Sequence, residues 1–518
     1  MDTVFGRLRT NARDPIRRRN VALLMAGKMI GLGLVLLAMR ALMPGVAHAQ
    51  DASAPDPVAS VNAINTAWVL IAAFLVFAMQ VGFVMLESGF ARERESVNIL
   101  VEGIADTCIC GILFWAIGFA FMFEDGNKFI GTHGFFLQNL PATYGSTGVP
   151  LLAFWVFQFA FADTASTVTS GAMVGRCGFI GDILYSIGVT GFIYPIVGHW
   201  AWGPDGWLAV KGFHDFAGST VVHTIGGTIS LAGAIALGPR LGRVFKRDGG
   251  GPMPPHNIIL GAVGGLILWF GWYGFNPGST LSALDAQGIG RVSFNTTLAA
   301  CSAGLAALFY SYVRSFKWDL GLTVNGFLAG LVAITAPCYW VDPVGAFFVG
   351  IIGACAMIIG LEVLEYFRID DPIGAVPVHM FAGMAGTMSL GLFAAAKYGA
   401  PTALGADATS TVDGLFYGGG GHLLWTQTYG TFSVAAATFA VSIVLMYAVK
   451  LTRTLRVSPE GEREGLDLHE HGVSAYPEFV VNRGGLGAVY GGFAAEPTPA
   501  PHRAPSPQPR SAPSGLSD

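Results

Sequence analysis

Long apolar segments recur along the chain, separated by short stretches that carry most of the charged residues. Each segment runs for roughly 20 residues, which lets a helix cross the ~30 Å hydrocarbon core of a bilayer. They lack the every-other-residue alternation that is typical of a membrane β-strand. Because only helices and closed barrels satisfy their backbone in lipid, the pattern predicts an all-α polytopic membrane protein.

We predict eleven transmembrane helices after residue 49. They lie near 62–86, 97–123, 149–174, 181–200, 216–238, 257–275, 291–313, 320–336, 342–365, 375–396 and 425–449.

The first 49 residues have the composition of a signal peptide. Arginines crowd positions 7–19, an apolar stretch follows from Val21 to Met43, and an A-x-A cleavage site ends at Ala49. Lys28 and Arg40 interrupt the apolar stretch, so an uncleaved anchor is the alternative.

The remaining boundaries follow from composition. The last residues, EPTPAPHRAPSPQPRSAPSG among them, are rich in Pro, Ala and Ser, which is typical of a disordered tail. We predict five regions: a signal peptide (1–49), a short extracytoplasmic segment (50–61), the membrane domain (62–452), a cytoplasmic regulatory segment (453–481) and the tail (482–518).

Lysine and arginine fall unevenly on the two sides of the predicted bundle. With the mature N-terminus outside, fourteen face one side, and the other side receives Lys128, Lys211, Arg291 and Lys397. The positive-inside rule therefore predicts an N-out, C-in topology in the inner (cytoplasmic) membrane. Eight of the 29 basic and two of the 33 acidic residues precede residue 50, so the mature chain carries a net charge of −10. This charge argues against nucleic-acid binding.

Two stretches place a histidine eight residues after an aspartate. They are DFAGSTVVH, from Asp215 to His223, and DPIGAVPVH, from Asp371 to His379. Asp215 precedes the fifth predicted span, which is entered from outside, and Asp371 precedes the tenth, which is entered from the cytoplasm. At 1.5 Å per residue, each histidine should lie about 12 Å along its helix. Matching patterns five spans apart and opposite in direction predict a five-plus-five inverted repeat, whose sites lie between the halves. The two histidines are thus expected to meet in one pathway.

A structural role is the alternative for each of these residues. A lone membrane histidine is often a satisfied packing group, but a matched pair favours function because ionisable groups in the membrane core are costly. Asp215 and Asp371 suit helix N-caps. Asp215 has a second candidate role in drawing cations to the outer mouth.

Aromatic residues cluster at the outer ends of the predicted spans. HWAWG places Trp202 there, and GWYGFNPGS brings Trp272, Phe275 and Ser279, while Phe161 lies inside the third span. Tryptophans near a membrane surface are usually interfacial anchors. An aromatic face beside a hydroxyl also suits a small cation, because a partly desolvated cation–π contact contributes about 2 kcal/mol to binding.

The chain resembles ammonium transporters of the Amt/Rh family, Amt branch. The resemblance is carried from Asn65 to Tyr476 by NTAWVLIAAFLVFAMQVGFVMLESGFARERESVNIL, DFAGSTVVH, GWYGFNPGS, DDPIGAVPVH and EGEREGLDLHEHGVSAYP, in this order. It implies a homotrimer with one pore per subunit, eleven spans and N-out topology. By motif, Trp202, Phe161 and Ser279 correspond to the outer ammonium site, Phe161 and Phe275 to the gate below it, and Asp215 to its structural support.

The same resemblance makes His223 and His379 the twin pore histidines, with Trp272 lining the pore beside them. The implied function is ammonium uptake, not enzymatic catalysis, with no cofactor and no metal. One departure from the family pattern is Asp163, two residues past Phe161 in FADTAS. We expect it to bond a neighbouring helix; if it faces the pore, an apolar lumen is in doubt.

Physical chemistry suggests how such a pore conducts. Moving an intact cation into a dry medium costs an idealised ~20 kcal/mol, far more than one aromatic face returns. Ammonium can escape this cost by losing its proton, and potassium cannot. We therefore expect ammonium to bind outside, deprotonate and cross as ammonia past two neutral imidazoles, which can donate, accept or relay a proton. Whether the proton travels separately stays open.

Other functions and partners remain to be weighed. The charged segment after Arg456 is either a solvated tail or, by the resemblance, a regulatory tail that contacts a PII signalling protein. A metalloenzyme could use His199, His223 and His379, although the sequence has no HExxH motif. An ammonium sensor with little transport and an Rh-type gas channel are further alternatives; no kinase- or cyclase-like domain follows the last span, and Trp202 and Ser279 favour the ammonium-recruiting branch.

Overall fold

The computed structural model describes residues 57–145, 147–398 and 411–477. The predicted signal peptide, most of the 50–61 segment and the 482–518 tail lie outside the described residues. The chain divides into a unit that ends at Ala475 and a second unit from Tyr476, and the fold below is that of the first.

Each predicted span coincides with an apolar helix in the described part of the chain. Ten of these helices are long and apolar enough to cross a membrane, and the eighth has 15 residues and is shorter. They are α1 (Val61–Phe90), α2 (Glu93–Phe123), α3 (Leu151–Gly171), α4 (Phe179–Val210), α5 (Ser219–Leu237), α6 (Ile258–Thr280), α7 (Ala286–Ser315), α8 (Leu320–Ile334), α9 (Pro343–Phe367), α10 (Val376–Phe393) and α11 (His422–Leu451).

Side-chain caps fix the starts of α6 to α9. Asn257, Asp285, Asp319 and Asp342 each accept a hydrogen bond from the backbone N–H three residues later, at 2.8–3.0 Å. Such a cap satisfies one of the four N–H groups that a helix start leaves unpaired. Pro343 follows Asp342 as the first residue of α9, where its missing N–H costs nothing.

Two small antiparallel hairpins interrupt the helical fold between α2 and α3. The first pairs β1 (Gly126–Asn127) with β2 (Ile130–Gly131), and the second pairs β3 (Thr143–Tyr144) with β4 (Val149–Pro150). Strands of two residues carry no readable alternation, so the sequence pattern did not predict them.

Glycines allow the helices to pack closely. A Cβ atom added to Gly89 on α1 would lie 2.3 Å from the backbone nitrogen of Gly261 on α6. Small residues at such crossings permit van der Waals contact between backbones, which drives helix association in membranes. Among the ten longer helices α5 is the most enclosed, and it packs against α3, α10 and α11.

The segment after α11, residues 453–475, folds back onto the loop between α3 and α4. Within it, α12 spans Pro459–Glu464. The backbone N–H of Gly178 donates to Leu455 at 3.1 Å, and the N–H of Val457 donates to Arg176 at 3.2 Å. We call residues 453–475 the C-terminal segment.

Candidate functional site

The two histidines lie in equivalent places, at the starts of α5 and α10. Both helices open with a π-helical turn, Ser219–Thr224 around His223 and Val376–Phe381 around His379. Single π-turns within helices frequently occur at functional sites. The structural equivalence matches the sequence repeat.

An aspartate and a glycine precede each of these turns. The Asp215 carboxylate accepts four backbone N–H groups, from Gly218 to Val221, at 2.8–3.0 Å. The Asp371 carboxylate accepts three, from Gly374 to Val376, at 2.8–3.1 Å. Gly218 (φ 117°) and Gly374 (φ 83°) adopt conformations that disfavour other residues. Both carboxylates therefore bind free N–H groups at the helix starts, although the N-cap positions themselves are Gly218 and Ala375 and not the predicted Asp215 and Asp371.

The helices begin later than the sequence pattern predicted. α5 starts at Ser219 and α10 at Val376, so His223 and His379 lie four and three residues into their helices. The estimate of about 12 Å of helix before each histidine was wrong, because the left-handed glycines break the helix after each aspartate. The pair thus lies at two helix N-terminal ends.

The imidazole rings of the two histidines contact each other. The Nδ1 atoms are 3.2 Å apart and the ring centroids 5.2 Å apart. One Nδ1 must carry a hydrogen and the other accept it, so two neutral rings have opposite tautomers. One ring then has an Nε2–H donor and the other a bare Nε2 acceptor. His223 is fully buried, and its Nε2 has no hydrogen-bond partner among the described residues.

Aromatic rings hold His223 in place. Its ring stacks on Trp272 (centroids 5.2 Å apart) and on Phe275 (5.4 Å). The Trp272 indole N–H donates to the hydroxyl of Thr335 on the loop after α8 at 2.9 Å, which fixes the indole plane. Sequence reasoning missed Thr335, since a threonine after an apolar helix carries no distinctive signal.

On one side of the histidine pair lies a cavity of about 80 Å³, which we call the outer cavity. Trp202, Phe161 and Ser279 line it. The rings of Phe161 and Phe275 stack 4.0 Å apart at its base, with 24° between their planes. The Trp202 indole N–H donates to the backbone carbonyl of Asp215 at 2.7 Å, so Asp215 contacts the site from behind.

On the other side lies a smaller cavity of about 20 Å³, the inner cavity. His379 and Trp272 line it, together with Glu87. Sequence reasoning missed Glu87, as it missed Gln158 and Phe216 in the outer cavity. Glu87 and Phe216 lie inside motifs that carry the family resemblance, and Gln158 lies three residues before Phe161. The sequence does not indicate which residues of these segments turn toward the cavities.

Two further candidates lie away from the site. The Asp163 carboxylate accepts a hydrogen bond from Thr107 on α2 at 3.0 Å, in agreement with the expectation that it bonds a neighbouring helix. The ring nitrogens of His199 each lie 2.9 Å from a backbone carbonyl, of Met122 and of Asn127. Among the described residues, His, Cys, Asp and Glu form no group of three or more suited to a metal ion.

Comparison with known proteins identifies the family. The model of the Ammonium Transporter Family matches residues 67–476. The chain belongs to the ammonium transporter family. The resemblance read from the sequence motifs is therefore confirmed.

Relatives of this ammonium transporter family cover nearly the whole chain. Ammonium transporter Amt2 of Archaeoglobus fulgidus is 39% identical over 467 residues, which are 88% of this chain and 97% of that protein. Putative ammonium transporter sll1017 of Synechocystis is 38% identical, covering 85% of this chain and 95% of its own.

Solved structures agree. A protein named Sensor Amt Protein has a TM-score of 0.72 and 38% identity, with 80% of this chain and 99% of that chain covered. Mep2 of Candida albicans has a TM-score of 0.71 and 27% identity, covering 81% and 92%. Family membership and the ten apolar helices together indicate a multi-pass membrane protein with ammonium as its substrate.

Proposed function

We propose that the protein takes up ammonium across the cytoplasmic membrane, binding NH4+ in the outer cavity, removing its proton and conducting NH3 past His223 and His379. The observation that carries the proposal is the contact between the two imidazoles, placed between an aromatic outer cavity and a smaller inner one.

The outer cavity offers the groups that a small cation needs. The rings of Trp202 and Phe161 stand at 64° to each other, so a cation can face two π-systems. Ser279 supplies a hydroxyl oxygen as acceptor, because its hydrogen is donated to the Phe275 carbonyl at 2.9 Å. Cation–π contact with the acceptor oxygen favours a cation over neutral ammonia at this position.

The stacked pair Phe161 and Phe275 forms the gate. At 4.0 Å the two rings leave no room for a hydrated ion, so a permeant species has to shed water while the rings move. An intact cation loses an idealised ~20 kcal/mol of solvation in such an environment. A neutral ammonia molecule avoids this cost, which is the physical basis of the proposed selectivity over potassium.

The histidine pair then provides directional polar contacts in an apolar passage. Ammonia can donate to the bare Nε2 of one ring and accept from the Nε2–H of the other. The same hydrogen-bonded pair can relay a proton by exchanging tautomers. The pair thus serves neutral conduction, and it also serves separate proton transfer.

α5 and α10, which carry the two histidines, cross each other through reciprocal glycine contacts. A Cβ atom added to Gly227 on α5 would lie 2.4 Å from the backbone nitrogen of Met380, and one added to Gly383 on α10 would lie 2.5 Å from the Ser219 carbonyl. This reciprocity supports a five-plus-five inverted repeat. The proposal includes eleven crossings with α8 as the short one, N-out and C-in.

The proposed assembly is a homotrimer in the inner membrane, with one pore per subunit. The C-terminal segment lies against the α3–α4 loop, at the bundle end that carries most arginines, and this end is the proposed cytoplasmic face. A PII signalling protein is the proposed partner there, because a folded, charged segment beside the loops gives a protein surface on which to bind.

Reconstitution in liposomes tests the proposed function. An inward ammonium gradient should produce uptake, and a potassium gradient of equal size should not. In a strain without ammonium uptake, the protein should restore growth at low ammonium and mildly acidic pH, where free ammonia is scarce. Failure of the purified protein to move ammonium in liposomes would contradict the proposal.

An ammonium sensor is the second candidate, favoured by the 38% identity to the protein named Sensor Amt Protein. A sensor binds ammonium in the outer cavity but transports it slowly. Ammonium binding without measurable flux, in the same liposomes, would favour the sensor. An Rh-type gas channel would show flux that follows free ammonia and ignores substitution of Trp202.

A further inference from the structure

Three buried carboxyl groups meet between α2 and α4, outside the two cavities. Glu102 and Asp106 lie one helical turn apart on α2, and Asp182 lies in the first turn of α4. All three are at most 4% exposed. Ser186, one helical turn after Asp182 on α4, donates to Asp106 at 2.6 Å, so the packing of α2 against α4 brings Asp106 and Asp182 into one buried group. Two buried carboxylates side by side repel each other, which favours the binding of a proton by one of them.

Neutral hydroxyl groups donate hydrogen bonds to two of the three carboxyl groups, but they leave some of the carboxyl oxygens without a partner. Ser186 donates its hydroxyl to Asp106 at 2.6 Å, and the Tyr185 hydroxyl donates to Asp182. One oxygen of each carboxyl group, Oε1 of Glu102 and Oδ2 of Asp106 and Asp182, has no further partner among the described residues. An ionised carboxylate left in this condition is costly, and a proton removes the cost.

More acidic than basic side chains lie near the three carboxyl groups. Within the described residues, none of the three carboxyl groups forms an ion pair with Lys or Arg, and Arg176 on the nearby loop donates to backbone carbonyls instead. The titratable groups that face the cluster from the packed elements are Glu87 on α1, Asp163 on α3, Tyr185 on α4, Cys177 on the α3–α4 loop, and Asp467 and His471 on the C-terminal segment.

One residue connects this cluster to the C-terminal segment. The backbone N–H of Asn98 donates to Asp467 at 2.9 Å, and its side-chain Oδ1 lies 2.9 Å from His471 Nε2. Asn98 also lies one helical turn before Glu102, on the same face of α2. When His471 donates to the amide oxygen, the hydrogens of the Asn98 amide nitrogen stay free to donate to the unpartnered Oε1 of Glu102. The docked segment therefore fixes the orientation of an amide donor one helical turn from Glu102.

We propose that Glu102, Asp106 and Asp182 form a proton-binding site inside the membrane domain, separate from the histidine pair, and that docking of the C-terminal segment changes its proton affinity through Asn98. A hydrogen bond from Asn98 stabilises the ionised form of Glu102. The docked segment thus lowers the proton affinity of the cluster. By reciprocity, proton binding weakens the docking.

Infrared spectroscopy of the full-length protein in liposomes tests the site without ammonium present. At neutral pH the wild-type protein should show a protonated-carboxyl C=O band that shifts in D2O. Asp106→Asn and Asp182→Asn should each remove or displace this band. The matched control is Asp319→Asn, which changes the N-cap of α8 and should leave the band unchanged.

A third variant covers the case in which the asparagine variants fail to fold. Ser186→Ala keeps all three carboxyl groups and removes one donor to Asp106, so it should displace the band without abolishing it. A wild-type protein without an exchangeable carboxyl band, or a band that is unaltered in every folded variant, would overturn the site. Because the readout needs no transport, this result is independent of the proposed function.

The pH titration of the same band tests the linkage. His471→Ala should raise the midpoint by up to about one pH unit, the size expected for one hydrogen bond to a carboxylate. His469→Ala is the control, because His469 pairs with Glu464 and not with Asn98. Equal midpoints in wild type, His471→Ala and His469→Ala would overturn the linkage.

Discussion

Trp202 illustrates how a single residue combines two roles at the outer cavity. Its ring faces the cavity beside Phe161, and its indole N–H donates to Asp215, which in turn caps α5. The position of the proposed cation site is therefore coupled to the start of the helix that carries His223. Substitutions at Trp202 should be separable by whether the ring or the N–H is lost.

We predict that Trp202→Leu weakens ammonium recruitment. Loss of a cation–π contact of about 2 kcal/mol should raise the half-saturating ammonium concentration roughly tenfold or more. Trp202→Phe keeps a ring and should have a smaller effect. Uptake in liposomes as a function of ammonium concentration measures both.

The control for this prediction is Trp200→Leu. Trp200 lies on the same helix, but its indole donates to the Phe129 carbonyl at 3.2 Å and does not line the outer cavity. Equal weakening by the two leucine variants would contradict a specific role for Trp202.

The sequence motifs predicted several site residues, but they did not indicate which of the neighbouring residues line the cavities. His223 and His379 could be paired because their surroundings repeat. Glu87, Gln158 and Phe216 could not be predicted as cavity residues, since their positions depend on which faces of α1, α3 and the loop before α5 turn inward. A long apolar helix has too little polarity contrast to fix its rotation.

At the scale of elements, the crossing of α5 and α10 decides where the histidines meet. Ten of the eleven predicted spans are helices long enough to cross a membrane in the described part of the chain, because apolar runs of that length are a strong signal. The first turns of α5 and α10 were not predicted, because the break after Asp215 and Asp371 depends on glycines with positive φ and on carboxylate capping. α5 starts three residues and α10 one residue later than predicted, and both histidines lie in the first turns of their helices.

We predict that Gly227→Ala disrupts this crossing. Its Cβ would lie 2.4 Å from a backbone nitrogen, so α10 has to shift. Overpacking of this kind costs about 1–3 kcal/mol of stability. Ammonium flux should also fall, because a displacement of Met380 displaces the preceding residue, His379. Thermal unfolding in detergent and uptake in liposomes report the two effects.

Gly111→Ala on α2 is the matched control. The nearest atom to its added Cβ is 3.5 Å away, which is ordinary van der Waals contact. This variant should be as stable as wild type or slightly more stable. A Gly227→Ala variant with wild-type stability and flux would show that the crossing tolerates displacement.

At the scale of the whole molecule, buried ion pairs tie the loops at the end of the bundle that holds the C-terminal segment. Arg240 forms a bidentate pair with Asp370 at 2.8 and 3.0 Å, and Arg243 approaches the same carboxylate at 3.3 Å. Burial by itself would raise the pKa of Asp370, but the hydrogen bonds and charge of Arg240 hold this pKa well below its usual value. The pair therefore stabilises the ionised carboxylate and the loops that carry it.

We predict that Asp370→Asn destabilises the protein in a pH-dependent way. Breaking a buried ion pair costs about 3–5 kcal/mol. Since the folded-state pKa is lowered, the stabilisation is complete above the unfolded pKa of about 3.9 and is lost as the pH falls further. Thermal unfolding at neutral pH should separate the variant from wild type, and the gap should narrow below about pH 4.

The control is Asp248→Asn, which removes the exposed pair between Asp248 and Arg368. Exposed pairs are screened by solvent, so this variant should unfold close to wild type at every pH. A pH-independent loss in Asp370→Asn would mean that packing, and not the ion pair, accounts for its effect.

The histidine pair is proposed to pass ammonia and to exclude the intact cation. Ammonium and potassium currents, with labelled methylammonium uptake, should be measured in liposomes containing wild type or His223→Ala. Wild type should transport ammonium and exclude potassium, and His223→Ala should lose most of the flux or admit potassium. A His223→Ala protein with full rate and full selectivity over potassium would contradict the account.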